Sequence, residues 1–163
     1  MLSAAERKIE INNIDLHHAR MQREMILQQL KAKGILVGLA SSSPRAMIEK
    51  VLAGHEVLQY FDAVVSGDMV RKGKPDPEVF LRCADALGIP VSKYSETFVI
   101  EDSYNGIRAA YAAGMKPVMV PDQLPPTQEM REKAVAILPS LTEAAEWLRV
   151  IQPASARPGL WLS

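Results

Sequence analysis

The stretch KAKGILVGLASSSPRA, residues 31–46, decides the fold class. Within it the apolar run Ile35 to Ala40 is short, is bounded by Gly34 on one side and serines on the other, and shows no polar alternation. That is the pattern of a strand buried on both faces. Working outward, three further runs share it: Phe61 to Val65, Thr97 to Ile100 and Val118 to Val120. Helical patterns separate them, and strands apolar on both sides belong to parallel sheets covered by helices on each face. The spacing predicts an α/β chain in the order β-α-β-α-β-α-β.

The helices carry their own punctuation. Ser43-Pro44 offers a capping hydroxyl followed by a proline where a missing donor costs nothing. Asp76-Pro77 repeats the device before a helix predicted over Glu78 to Leu87, with Gly88 suited to its stop. A third helix follows Asp102 and sets Ile107, Ala110, Tyr111 and Gly114 on one face. Residues 15–33 carry Met21, Met25, Leu27 and Leu30 among charges, an amphipathic pattern that Asn12-Asn13 keeps from running further upstream. Residues 1–13 receive no assignment. Pro121 to Thr127 reads as a loop, Leu141 to Val150 as a last helix, and Gln152 to Ser163 as a loose tail.

Composition narrows the function classes. The 163 residues are 48% hydrophobic and 23% charged, enough to build one core and too apolar for global disorder. Lys+Arg and Asp+Glu stand at 19 each, so no bulk field attracts nucleic acid or an anionic membrane, and any anion must be held locally. The single cysteine, Cys83, excludes an intrachain disulfide and reads as packing. No run approaches the roughly 18 apolar residues of a membrane span, and the opening MLSAAERKIE lacks a signal-like apolar centre, so a cytoplasmic location is expected.

In open α/β sheets ligands bind outside the carboxyl ends of the strands, where three positions are polar in a coherent way. Ser41-Ser42-Ser43 stands at a helix entrance, where free N–H groups and the positive dipole end favour a phosphate; Ser43 can equally be a plain cap. Lys74, between Gly73 and Pro75, can aim an ammonium at an oxyanion or simply be a solvated charge. Its loop is not a nucleotide-binding P-loop, because five residues separate Gly67 from Gly73 and Pro75 stands where a magnesium-binding hydroxyl belongs. Glu101-Asp102 places two repelling carboxylates at a strand end, which a nearby ammonium or a hard cation, magnesium above all, would relieve; Asp102 as a helix cap with Glu101 facing water is the alternative. Together, a hydroxyl, a lysine and a carboxylate pair at successive strand ends form a kit for gripping a phosphoryl group beside magnesium.

The order LASSSPRAMIEKVL, FDAVVSGDMVRKGKPDPEVFLRCADALGI, FVIEDSYNGIRAAYAAGMKPVMVP, roughly residues 30–121, resembles the haloacid dehalogenase-like hydrolases, in particular the beta-phosphoglucomutase and sugar-phosphatase branch. The resemblance implies a Rossmann-like sheet and a magnesium-dependent phosphatase or phosphomutase acting on small phosphorylated metabolites through an aspartyl-phosphate. It implies that Ser41 and the Ser42 amide bind the phosphoryl group, that Lys74 stabilises its charge, and that Glu101 and Asp102 hold Mg2+, Asp102 most directly. It also divides the chain into residues 1–33, a remnant of a cap helix; residues 34–150, the core; and residues 151–163, a tail.

One departure is plain. The family's first strand ends in Asp-x-Asp, whose first aspartate attacks the phosphoryl group and whose second moves protons, and no Asp-x-Asp occurs in these residues. Asp15, followed by Leu16 and His17, has no strand-like flank, and His17 and His18 are read as surface residues. The chain alone is therefore expected to be catalytically impaired, or to be a non-catalytic phosphate-binding or dimerising module, or a fragment. In the family that strand lies at the sheet's centre, between the strands matching Ile35 to Ala40 and Thr97 to Ile100. An incomplete sheet would bare two inner edges, each buried unsatisfied group costing about 1 to 3 kcal/mol. Either the two edges collapse together, or the gap is filled by residues 5–14, a second copy in a homodimer, or a separately encoded complementing segment.

Overall fold

The computed structural model describes residues 24–53, 58–151 and 160–162. All four expected strands form, each with at least one end displaced by one or two residues. Helix α1 covers described residues 24–32 and leads into β1 (Val37–Ala40), α2 (Arg45–Ala53), β2 (Ala63–Val65), α3 (Glu78–Ala86) and β3 (Phe98–Glu101). Then follow α4 (Tyr104–Ala112), β4 (Lys116–Met119), α5 (Gln128–Lys133), β5 (Ala136–Ile137), α6 (Leu141–Ile151) and β6 (Leu160–Leu162). The six strands form one sheet in the order β2-β1-β6-β3-β4-β5, with every pairing parallel. The α/β, Rossmann-like expectation holds.

Strand periodicity sorts side chains onto two covered faces. Val99 joins Ala40 and Val65 under Val79, Phe80 and Cys83 of α3 and Ala109 and Ala110 of α4. Its neighbours Phe98 and Ile100 point the other way, packing with Val118 against Ala144 and Leu148 of α6 and Leu30 of α1. Trp147 meets Phe98 edge-on at 5.7 Å between ring centroids. Cys83 is fully buried and burial pushes its thiol up, as a packing residue requires. Gly88 stops α3 in the left-handed region at φ 70°, as expected. Tyr111 departs from the sequence reading: it is 54% exposed, and the buried face of α4 is Gly106, Ile107, Ala109 and Ala110. One residue of rotation separates the two stripes, and the Tyr111 ring instead receives the Lys133 ammonium.

The sheet's centre is the larger departure. Residues 160–162, read as part of a loose tail, are β6 and lie between β1 and β3. Leu160, Trp161 and Leu162 register against Val37, Gly38 and Leu39 on one side and against Phe98, Val99 and Ile100 on the other. The position expected to need residues 5–14, a second copy or a separate segment is thus taken by the chain's own Leu-Trp-Leu. The physical reason is the one that predicted a filler: both inner edges carry main-chain groups that need partners. Three residues are too few to stand out from sequence after Pro158-Gly159. The readings placed on residues 1–23, including Asp15, His17, His18 and the segment 5–14, and on 152–159 lie outside the described residues.

Candidate functional site

The first two strand-end loops are clamped together through backbone. The Ser41 amide donates to Val65 O at 3.0 Å and the Gly67 amide to Ser43 O at 2.9 Å. A Cβ at Gly67 would collide with the Ser42 carbonyl, so the close approach requires glycine there. Asp68 then reaches back: its Oδ1 accepts from the Arg45 amide at the start of α2, at 3.2 Å, and from the Ser66 hydroxyl. The Ser66 hydroxyl, against the opposing pull of desolvation and with help from the Arg45 amide, holds Asp68 below the usual carboxylate range. A residue from the second loop thus satisfies the helix entrance that sequence assigned to Ser43. Ser43 instead donates its amide to Ser41 Oγ at 3.1 Å. Among the described residues no protein acceptor takes the Ser42 amide.

Lys74 crosses from the second loop to the third. Its side chain is 8% exposed, and its ammonium donates to Glu101 Oε1 at 2.5 Å and Ala40 O at 3.3 Å, 5.0 Å from the Phe80 ring centroid. Among the described residues two of its three donors are engaged, which leaves one for a ligand. Glu101 is buried, not water-facing: its Oε2 accepts from Ser103 Oγ at 3.2 Å, and a Cβ at Gly106 would strike its carboxyl group. The cap of α4 is Ser103, whose Oγ accepts from the Gly106 amide, so Asp102 is left free of that role.

These groups line one cleft of about 250 Å³, bounded by Ser41, Ser42, Ser43, Lys74, Glu101, Asp102 and Ser103. Every residue that sequence reasoning singled out at the strand ends is there, and no apolar side chain is among them. Ser103, Gly67, Asp68 and Gly106 were missed. A serine directly after the carboxylate pair with a glycine three residues on was the available signal for two of them. The Asp102 carboxyl is pushed above its ordinary value, first by desolvation, then by the Glu101 charge and more weakly by Asp122. Both Glu101 oxygens already have donors, whereas no side-chain donor among the described residues reaches Asp102. A hard cation taking one or two carboxylates with phosphate and water oxygens fits that set, through Asp102 first. Among the described residues no group of three or more His, Cys, Asp or Glu gathers as a self-sufficient metal site.

Comparison with known proteins decides the family. The family model of haloacid dehalogenase-like hydrolases matches residues 12–114. The chain belongs to that family. It is 44% identical over 92 residues to hexitol phosphatase B of Escherichia coli (strain K12), covering 56% of this chain and 40% of that protein. It is 33% identical over 134 residues to the fructose-1-phosphate phosphatase of the same strain, covering 71% of this chain and 70% of that one. Its fold matches a Thermotoga maritima structure provisionally named beta-phosphoglucomutase, with TM-score 0.71, 32% identity, and coverage of 78% of this chain and 58% of that one. It also matches CbbY of Rhodobacter sphaeroides in complex with phosphate, with TM-score 0.64, 28% identity, and coverage of 72% and 52%. The chain thus spans about half or less of several relatives it resembles. No helix of the described residues is long and apolar enough to cross a membrane.

Proposed function

We propose that this chain is the phosphate-handling core of a magnesium-dependent phosphatase or phosphomutase-like hydrolase acting on small phosphorylated metabolites. The observation that carries the reading is the cleft lined by polar residues, where the Ser42 amide, the Ser41 hydroxyl and the third donor of Lys74 have no acceptor among the described residues. Three donors from two strand ends suit the oxygens of a phosphoryl group. The relatives named for hexitol phosphates and fructose 1-phosphate support a sugar phosphate as the class of ligand. Asp102 would hold Mg2+, with Glu101 close behind it. The ion, when bound, supplies positive charge that neutralises phosphoryl oxygens. Lys74 does the same from the protein side, and the serines fix the group's orientation.

The family's covalent step needs an attacking aspartate, and these 163 residues contain no Asp-x-Asp. A polypeptide of this sequence is therefore expected to bind phosphate or orthovanadate without turning over a phosphate ester. The second reading, a non-catalytic phosphate-binding module, is favoured by the central strand position being occupied by Leu160–Leu162, which brings no carboxylate side chain there. Its dimerising version loses its motive, since both inner edges are paired by β6. Calorimetric titration with orthovanadate and Mg2+, beside an assay on p-nitrophenyl phosphate, tests both. Binding without turnover is the expected result; turnover would refute the impaired-site reading, and absence of binding would refute the phosphate site.

A further inference from the structure

Ser103 does two things with one hydroxyl. As acceptor it takes the Gly106 amide at 3.0 Å and caps α4, which is ordinary helix chemistry. As donor it binds Glu101 Oε2 at 3.2 Å, which helix capping does not require. Glu101 has little freedom besides: it is 2% exposed, Gly106 backs its carboxyl group with no Cβ between them, and its other oxygen carries the Lys74 ammonium. That ammonium in turn reaches Ala40 O, one residue before Ser41. A continuous chain of contacts therefore runs from the start of α4 through Ser103 and Glu101 to Lys74 and the serine loop.

We propose that Ser103 is a positioning residue of this site, orienting the Glu101 carboxylate so that Glu101 presents Lys74 to the bound anion. The proposal deepens the phosphate-site reading and rests on it for its ligand. A long, flexible lysine side chain loses rotamer freedom when held in one geometry, and a pre-set anchor removes that cost from ligand binding. Ser103 fixes the anchor itself, because the same oxygen is tied to the rigid first turn of α4.

The test separates capping from positioning. Ser103→Gly keeps most of the cap, since glycine is tolerated at this position, but it removes the donor to Glu101. Ser103→Thr keeps both functions. Ser103→Asp keeps the cap and replaces the donor with a second carboxylate against Glu101. Two readouts are taken on the full chain: orthovanadate affinity by calorimetry, and the proton–nitrogen NMR signal of the Lys74 ammonium, which persists only while the group is held away from exchange with water. The expected result is an affinity about threefold to tenfold weaker in Ser103→Gly, weaker again in Ser103→Asp, with the Lys74 signal lost in both and retained in Ser103→Thr. Wild-type affinity and signal in Ser103→Gly, or in Ser103→Asp should the glycine variant not fold, would overturn the proposal. A wild-type chain that ignores orthovanadate would instead overturn the phosphate reading, while the NMR signal still decides whether Ser103 holds Lys74.

Discussion

Lys74 with Glu101 and Arg108 with Glu129 are both close ion pairs, at 2.5 Å and 2.7 Å, and they sit in opposite surroundings. The side chains of the first pair are 8% and 1% exposed; those of the second are 39% and 36% exposed. Arg108 forks onto both oxygens of Glu129, and Lys133 joins from one turn along α5. That cluster ties α4 to α5 in water, where charges keep much of their hydration and a pair contributes little. The buried pair has given up its hydration, and such pairs are weak contributors to stability compared with apolar side chains of the same volume. Packing alone therefore gives no reason to keep a charge pair between β1 and β3. The burial of Lys74 and Glu101 is explained by the cleft they line.

The largest effect expected is from Lys74→Met, which leaves Glu101 charged, buried and unpaired: a loss of about 3 to 5 kcal/mol in denaturant unfolding, with orthovanadate binding abolished. Adding Glu101→Leu to it should recover much of the stability and none of the binding. A single variant as stable as wild type would erase the contrast between the two clusters. Next comes Gly106→Ala, whose Cβ meets the Glu101 carboxyl group; the cost expected is about 1 to 3 kcal/mol, with weaker orthovanadate binding, because the carboxylate must move. Unchanged stability and binding would show that the carboxylate is free to yield.

Asp102→Asn separates ligand chemistry from stability. It is expected to weaken Mg2+ binding by roughly tenfold or more, measured by calorimetry, while the melting temperature holds or rises. The sign follows from Asp102 being disfavoured as an anion by desolvation and by Glu101. The smallest effect belongs to the exposed cluster. Arg108 and then Lys133 bring the Glu129 carboxyl down to about 2, so the stability it lends is present above its ordinary value near 4.5 and fades as pH falls towards 2. Glu129→Gln should lower the melting temperature slightly at neutral pH, and the gap should close on acidification. A gap that widened in acid would reverse the assignment.

The strands at Val37–Ala40 and Phe98–Glu101 were legible because burial on both faces leaves an unbroken apolar run in sequence. So was the convergence of Ser41, Lys74 and Asp102, since parallel strands deliver their carboxyl ends to one side of a sheet. What stayed hidden were contacts between loops. Asp68 capping α2 joins residues 23 apart, and nothing local marks it. That the ammonium beside Glu101 would be Lys74, 27 residues away, is marked by nothing local either. Tyr111 was misplaced by one step of helical rotation, and β5 and β6, at two and three residues, are too short for periodicity to register.

Titration of the wild-type chain with orthovanadate in the presence of Mg2+, repeated on Lys74→Met with Glu101→Leu, puts the most weight on the cleft itself. The wild type should release heat with one site per chain and the folded double variant none. Silence from the wild type, or equal affinity in the two proteins, would mean that the strand-end loops gather for some purpose other than holding a phosphate.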